Sequence, residues 1–267
     1  MKSLALALAL IAGTALAADA QSYRSSTERR SAPETRDWGQ WGNGFRQKLA
    51  PSLMRDFGER YIYADANAAL PPPAKGERRV VFIGDSITDM WDLARAFPGQ
   101  PYVNRGIGAQ VTAQMLVRFQ QDVVALRPAA VVILGGTNDV SGFLQVETPQ
   151  TILANITAMA DIADANGVRV VLAALLPVND YAENRAYMTR ERPPATLRAI
   201  NVGLRDLARR RGYVFADYAT PLTDTRGMMM PAMSGDGLHP NTAGYARMAP
   251  VARTAIAEAL AGGRRRR

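Results

Sequence analysis

Val80-Val81-Phe82-Ile83-Gly84-Asp85-Ser86-Ile87-Thr88 is the stretch from which the fold can be read. Four apolar residues run straight into Gly-Asp-Ser, and helix-compatible residues follow. The pattern predicts a buried parallel strand that ends in a tight turn and presents Ser86 at its C-terminal end. Open α/β sheets bind their ligands at that end. A serine nucleophile placed there also needs a base, a group to orient the base, and donors for an oxyanion.

Outward from this stretch, strand and helix patterns alternate from residue 78 onward. Further apolar runs at 102–104, 130–134, 168–176 and 213–216 predict four more strands. Between them lie stripes at helical spacing: Met115, Leu116, Phe119, Val123 and Leu126; Ile152, Ile156, Met159 and Ala163; Leu197, Ile200, Leu204 and Leu207. Thr148-Pro149 reads as an N-cap with proline in the first turn, and Asn166-Gly167 and Gly212 read as helix stops. A last helix is predicted over 242–261, with Pro250 inside it. Five strands separated by helices imply a parallel sheet with right-handed crossovers and helices on both faces. The expected architecture is a flavodoxin-like three-layer α/β/α sandwich of strand order 2-1-3-4-5.

With 267 residues, 48% hydrophobic and 21% charged, the chain is long enough for one such domain with a full core and some extensions. The extensions are distinct in composition. Residues 1–20 read as an export signal: Lys2, an apolar run over 4–11, and a small-x-small site at Ala15-Leu16-Ala17 or Ala18-Asp19-Ala20. The run is too short for a comfortable membrane span, although an uncleaved anchor is the alternative. Export places the chain in the periplasm or outside the cell, with no transmembrane segment in its mature form. Residues 21–77 are a linker and N-terminal appendage. The appendage carries Trp38, Trp41, Phe45, Leu53, Met54, Phe57, Tyr61 and Tyr63. A short helix near 51–60 laid against the main domain is expected, its aromatics either packing or stacking on carbohydrate. Pro71-Pro72-Pro73 leads into the main domain, 78–262, and 263–267 form a basic tail. The tail reads as solvated, or as a contact for an anionic surface.

Two counts exclude chemistry. There are no cysteines, so no disulfide framework, thiolate nucleophile, Cys-ligated zinc or lipid-anchored cysteine is available. His239 is the only histidine, which rules out a zinc site built on two or three. The net charge of +8 comes almost wholly from arginine, only Lys2, Lys48 and Lys75 being lysine. No motif points to nucleic acid, and none specifies an oligomeric state.

Ser86 follows the first strand, Gly106-Ile107-Gly108-Ala109 the second, and Gly135-Gly136-Thr137-Asn138-Asp139 the third. In a 2-1-3 order these loops are neighbours, with the serine between a glycine-rich turn and the Asn138 amide. The loop before the last helix holds Asp236-Gly237-Leu238-His239-Pro240-Asn241. Aspartate and histidine three apart can bond within one turn, leaving the other ring nitrogen to take the Ser86 proton. Asp85, Asp89 and Asp139 read as structural. The loop 177–194, with Asn179, Asp180, Tyr181, Arg185 and Arg190, and the run Met228-Met229-Met230 are candidate substrate linings, or in the case of the methionines plain packing.

Together, Gly84-Asp85-Ser86, Gly106-x-Gly108, Gly136-Thr137-Asn138-Asp139 and Asp236-x-x-His239-Pro240 resemble, in order, the four blocks of the SGNH (GDSL) hydrolase family. The set is most similar to the platelet-activating-factor acetylhydrolase-like branch, including Asn104-Arg105-Gly106-Ile107 and Leu176-Pro177-Val178. The resemblance covers about 78–261. It implies an SGNH hydrolase fold and an esterase or lipase that uses no metal or other cofactor. It implies Ser86 as nucleophile, His239 as base and Asp236 as its orienting partner. It places an oxyanion hole at the Ser86 N–H, the Gly108-Ala109 turn and the Asn138 side chain. Ala109 departs from the branch, which has glycine there. Its N–H serves if the backbone avoids positive φ; otherwise the hole is weaker. No G-x-S-x-G elbow surrounds Ser86, so a shallow site is expected. The implied reaction is hydrolysis of a small acyl ester, such as acetyl, on a carbohydrate or simple ester. The same triad would serve an acyltransferase, and a sheet end lacking a working triad would leave a polyol- or anion-binding module.

Overall fold

The computed structural model describes residues 43–181 and 187–262. The expectations for 1–20, for the linker with Trp38 and Trp41, and for 263–267 lie outside the described residues. The elements run α1 (Asn43–Arg55), α2 (Ala64–Ala69), β1 (Val80–Gly84), α3 (Ser86–Asp89), α4 (Leu93–Ala96), β2 (Tyr102–Gly106), α5 (Thr112–Asp122), β3 (Ala130–Leu134), α6 (Thr137–Ser141) and α7 (Pro149–Ala165). They continue with β4 (Arg169–Ala173), α8 (Met188–Glu191), α9 (Pro194–Arg211), β5 (Val214–Ala216) and α10 (Thr242–Ala261).

The strands form one parallel sheet in the expected order β2-β1-β3-β4-β5. β1 and β3 are buried along their whole length, because helices cover both faces of the sheet. Alternation divides their side chains between two cores. Val81, Ile83, Val131 and Ile133 pack with Met115, Phe119, Ile152 and Ile156 of α5 and α7. Val80, Phe82, Val132 and Leu134 pack on the other face with Trp91, Phe97 and Met248, Ala252 and Ile256 of α10. The register pairs Gly84 with both Gly106 and Leu134, so β1, β2 and β3 end at one level. The three loops that follow them therefore open side by side.

The appendage differs from expectation. Its helix is α1, earlier than 51–60; Met54 is 86% exposed, Tyr61 58% and Phe57 43%, while Leu70 packs against the main core. Polar groups add to the docking. The Phe57 carbonyl accepts from Gln114 Nε2, the Arg60 carbonyl from Gln121 Nε2, and Asn67 bridges Arg105 and Asp122. Pro71 follows, its carbonyl accepting from the buried Arg79.

Candidate active site

Gly84 ends β1 because nothing larger fits: a Cβ there would lie 2.1 Å from Thr88 Oγ1 and 2.6 Å from the Leu134 carbonyl. Asp85 then caps α3, its Oδ1 accepting from the Ile87 N–H at 2.9 Å. Ser86 is the first residue of that helix, 9% exposed. Its turn is held from three sides. Arg118 donates to the Gly84 carbonyl at 3.0 Å, Asn104 Nδ2 to the Thr88 carbonyl at 2.7 Å, and the Tyr245 hydroxyl to the Ile87 carbonyl at 2.8 Å.

On the far side of the sheet end, a second turn is built from its own side chains. Ser234 Oγ accepts from the N–H groups of Asp236 and Gly237, and donates to Asp236 Oδ1. That same oxygen accepts from the N–H groups of Leu238 and His239 at 3.0 and 2.8 Å. Gly237 has φ +81°, and a Cβ on it would fall 2.3 Å from the Asn179 carbonyl oxygen, so glycine is required twice over. Asn241 caps α10 by accepting from Ala243 and Gly244 and fixes where the turn ends.

The two turns meet. Asp236 Oδ2 lies 2.6 Å from His239 Nδ1, and His239 Nε2 lies 2.9 Å from Ser86 Oγ. Partial burial pushes the Asp236 carboxyl up, but the hydrogen bonds from the His239 ring and from the His239 and Leu238 N–H groups outweigh it and hold the group well below the usual carboxylate range. An ionised Asp236 only accepts, so Nδ1 carries the ring proton, Nε2 is the acceptor, and the Ser86 hydroxyl donates to it. That is the arrangement for moving the serine proton onto the imidazole as the oxygen attacks an electrophile.

The third wall comes from the loop after β2 and from α6. Gly108 sits against the serine, a Cβ on it coming 4.0 Å from Ser86 Cβ. Burial raises the Asp89 carboxyl, and the Gly108 N–H directed at it pulls the other way. The Gly108 turn, expected among the oxyanion donors, thus lies directly beside the serine. The N–H groups of Ser86 and Ala109 have no protein acceptor among the described residues. Ala109 does not avoid positive φ; it sits at φ +66°, in the small left-handed region open to non-glycine residues at some cost. Asn138 is 5% exposed and gives one amide hydrogen to the Gln110 carbonyl at 3.0 Å, leaving the other uncommitted.

The remaining expected residues divide. Asp139 is structural, accepting from the Thr112 N–H and hydroxyl at the start of α5. Asn179 supports the His239 turn, its N–H donating to the Gly237 carbonyl. Asp180 binds Thr189, and Tyr181 binds Asp224. Arg185 lies outside the described residues, and Arg190 is exposed on α8. Met229 is fully buried in the core, which leaves it to packing. Sequence reasoning missed Ser234, Gln110, Arg118 and Tyr245. Ser234-Gly235-Asp236 carried a usable signal, a serine placed to close a side-chain turn on the next residues. A buried arginine in an amphipathic helix carried none.

The match to known proteins agrees with this geometry. Residues 82–247 match the GDSL-like lipase/acylhydrolase family model. A GDSL-like lipase from Bacteroides thetaiotaomicron VPI-5482 is 35% identical, with a TM-score of 0.71, covering 77% of this chain and 100% of its own. A candidate acylhydrolase from Bacteroides fragilis NCTC 9343 is likewise 35% identical at TM-score 0.71, covering 77% of this chain and 99% of its own. Axe2, an acetylxylan esterase from Geobacillus stearothermophilus, shares the fold at 19% identity and TM-score 0.55, covering 70% of this chain and 96% of its own. None of the curated proteins compared with the chain matches it. The family segment contains the whole of the Ser86, Asn138 and Asp236–His239 constellation, and the chain belongs to the GDSL-like lipase/acylhydrolase family as a carboxylic ester hydrolase.

Proposed function

We propose that the protein is an exported serine esterase that removes a small acyl group, acetyl above all, from a carbohydrate or simple ester. The carrying observation is the unbroken relay from Asp236 through His239 to Ser86, at 2.6 and 2.9 Å. In this reading Ser86 Oγ bonds to the ester carbonyl carbon while its proton passes to His239 Nε2. The negative charge moves to the carbonyl oxygen, facing the Ser86 and Ala109 N–H groups and the free Asn138 amide hydrogen. Collapse of that intermediate breaks the bond to the alcohol oxygen, which leaves with the proton from Nε2. Water then repeats the sequence on the acyl-enzyme and frees the acid. Asp236, held ionised, keeps the ring in the required tautomer and stabilises its charged form.

The acyl size is inferred from what surrounds the hydroxyl. Gly108, Ala109, Asn138 and His239 are small or polar, which suits a short acyl group better than a long apolar chain. Axe2 is called an acetylxylan esterase, and variants of it with a catalytic serine or histidine replaced by alanine share this fold. Export rests on residues 1–20. Among the described residues no helix is long and apolar enough to cross a membrane.

Hydrolysis of p-nitrophenyl esters of two, four, eight and twelve carbons by wild type and Ser86→Ala tests this. The acetate should give the highest kcat/KM, and the variant should lose about 10⁴-fold or more in kcat while melting at the wild-type temperature. A preference for eight carbons would reject the acetyl assignment. Wild-type turnover in the variant would reject the serine.

A further inference from the structure

Residues 57–63 lie outside the family segment, which begins at residue 82. They nevertheless bear on the loop beside the serine. Gln110 follows Ala109 and is 1% exposed. Its amide Nε2 donates to the Gly58 carbonyl at 3.1 Å and to Glu59 Oε2 at 3.0 Å. Its Oε1 accepts from Arg118 Nε at 2.6 Å, and its main-chain carbonyl accepts from Asn138 Nδ2 at 3.0 Å. The Tyr63 hydroxyl donates to the Gly106 carbonyl at the other end of the same loop, at 2.5 Å. One residue thus ties the appendage, a buried arginine and Asn138 together, next to the Ala109 N–H.

The backbone adds a second observation. Three non-glycine residues have positive φ among the described residues; one, Glu59 at +53°, accepts from the Gln110 side chain, and another, Ala109 at +66°, precedes Gln110 in the chain. Such conformations persist where the surroundings over-determine them, and they cluster where geometry is put to use. Glu59 supplies part of that constraint from an unusual place: it is a carboxylate only 7% exposed. Burial lowers the Arg118 guanidinium from its usual range, and the charges of Asp122 and Glu59 oppose this. Glu59 therefore also helps keep charged the side chain that holds Gln110 from its other end.

We propose that residues 57–63 form a strap that positions the oxyanion-binding groups, with Glu59 a positioning residue that acts through Gln110 on the Ala109 N–H and the Asn138 side chain. The proposal rests on the roles given above to Ser86, Ala109 and Asn138. Its physical content is restraint. Glu59 takes the second hydrogen of the Gln110 side-chain amide, beside the Gly58 carbonyl and opposite Arg118, and so helps to fix the residue whose main-chain carbonyl holds Asn138. Without that acceptor a buried donor is left unpaired and the strap is held less tightly, so the hole is less ordered before each turnover.

The test is p-nitrophenyl acetate hydrolysis by the full chain, with kcat expressed per serine titrated by a fluorophosphonate. Glu59→Ala should lower kcat about tenfold to a hundredfold, a fraction of the loss from deleting an oxyanion donor outright. KM should stay within about twofold and the acid limb of the pH profile should not move, since the proton relay is untouched. Glu59→Gln, which keeps an acceptor oxygen, should recover most of the rate. Tyr63→Phe loosens the loop at Gly106 independently and should lower kcat several-fold; it decides the matter if Glu59→Ala does not fold. Wild-type kcat per titrated serine in Glu59→Ala, or in Tyr63→Phe where the first variant is unfolded, would overturn the strap. So would a Glu59→Gln enzyme no faster than Glu59→Ala. Wild-type turnover in Ser86→Ala would overturn the strap as well, by a separate result that strikes the serine assignment itself.

Discussion

Asp236 is the residue whose chemistry most constrains the behaviour of the site. Its carboxyl is held well below the usual range, so it stays ionised while the imidazole beside it changes charge. The carboxylate therefore adds no proton of its own to the acid limb of kcat/KM, and log kcat/KM should fall there with a slope no steeper than one as pH drops. Asp236→Asn presents an amide to Nδ1 and favours the ring tautomer with the proton on Nε2, where it cannot accept from Ser86. A loss of about 10³–10⁴ in kcat is expected, with little change in KM. A pH–rate profile and steady-state kinetics on the variant check both statements; a slope of two would mean that the carboxylate titrates with the ring. Ala109 is a residue-scale matter of the opposite kind, since its cost lies in the backbone. At φ +66° the Cβ crowds its own chain, so Ala109→Gly should stabilise the fold by about 1 kcal/mol in urea denaturation while leaving kcat within about twofold. If the glycine variant is less stable, the left-handed conformation there carries no strain.

At the scale of elements, α5 does more than cover the sheet. Its apolar stripe was legible in the sequence, and Met115 and Phe119 lie buried where the spacing put them. The same helix buries Arg118 and Asp122 completely, paired at 3.0 Å, with Arg118 reaching the carbonyls of Gly84 and Arg105. Removing one partner of a buried pair leaves the other charge uncompensated, so Arg118→Met should cost about 3–5 kcal/mol. Arg118→Met with Asp122→Leu should cost less than the sum of the two single changes, which denaturant titration of all three variants measures. This pair marks where reading from sequence ran out. Strand order, helix stripes, the caps at Thr148 and Gly212, and the two turns bearing Ser86 and His239 follow from periodicity and turn chemistry, which are local. The polar docking of the appendage does not, because it is made by main-chain carbonyls meeting Gln110, Gln114 and Gln121, and such side chains announce nothing by their spacing. Of the described apolar residues expected to pack there, Met54 and Tyr61 are exposed and Leu53 and Tyr63 half-buried. Positive φ at Ala109 was equally out of reach, since it is imposed by neighbours distant in the chain.

Across the whole molecule, the sheet end concentrates carboxyls in low-dielectric surroundings, and this sets a pH dependence of stability opposite to the one Asp236 creates. Asp85 is 1% exposed; burial raises its carboxyl from 3.8 to about 6, against the pull of the Ile87 N–H, His239 and Arg192. Asp139, at the next loop, is likewise pushed up to about 6 by burial. An acid with a raised folded pKa binds more protons folded than unfolded over the interval between the two values. Folding stability then falls as pH rises through that interval and stays lower above it. Asp236 works the other way: its contribution is present above the ordinary carboxylate range and is lost on acidification below it. Overall stability also responds to the net charge of +8, so the buried carboxyls are isolated only by difference. Asp85→Asn keeps the acceptor for Ile87 and removes the titration. Whatever its absolute stability, it should gain roughly 1–2 kcal/mol relative to wild type between pH 4.5 and 7.5, because a tenfold change in proton affinity on folding is worth about 1.4 kcal/mol. Urea denaturation of both proteins at the two pH values measures this. A difference that stays constant with pH would mean that Asp85 ionises freely in the fold, and that the turn before Ser86 is wetter than its burial implies.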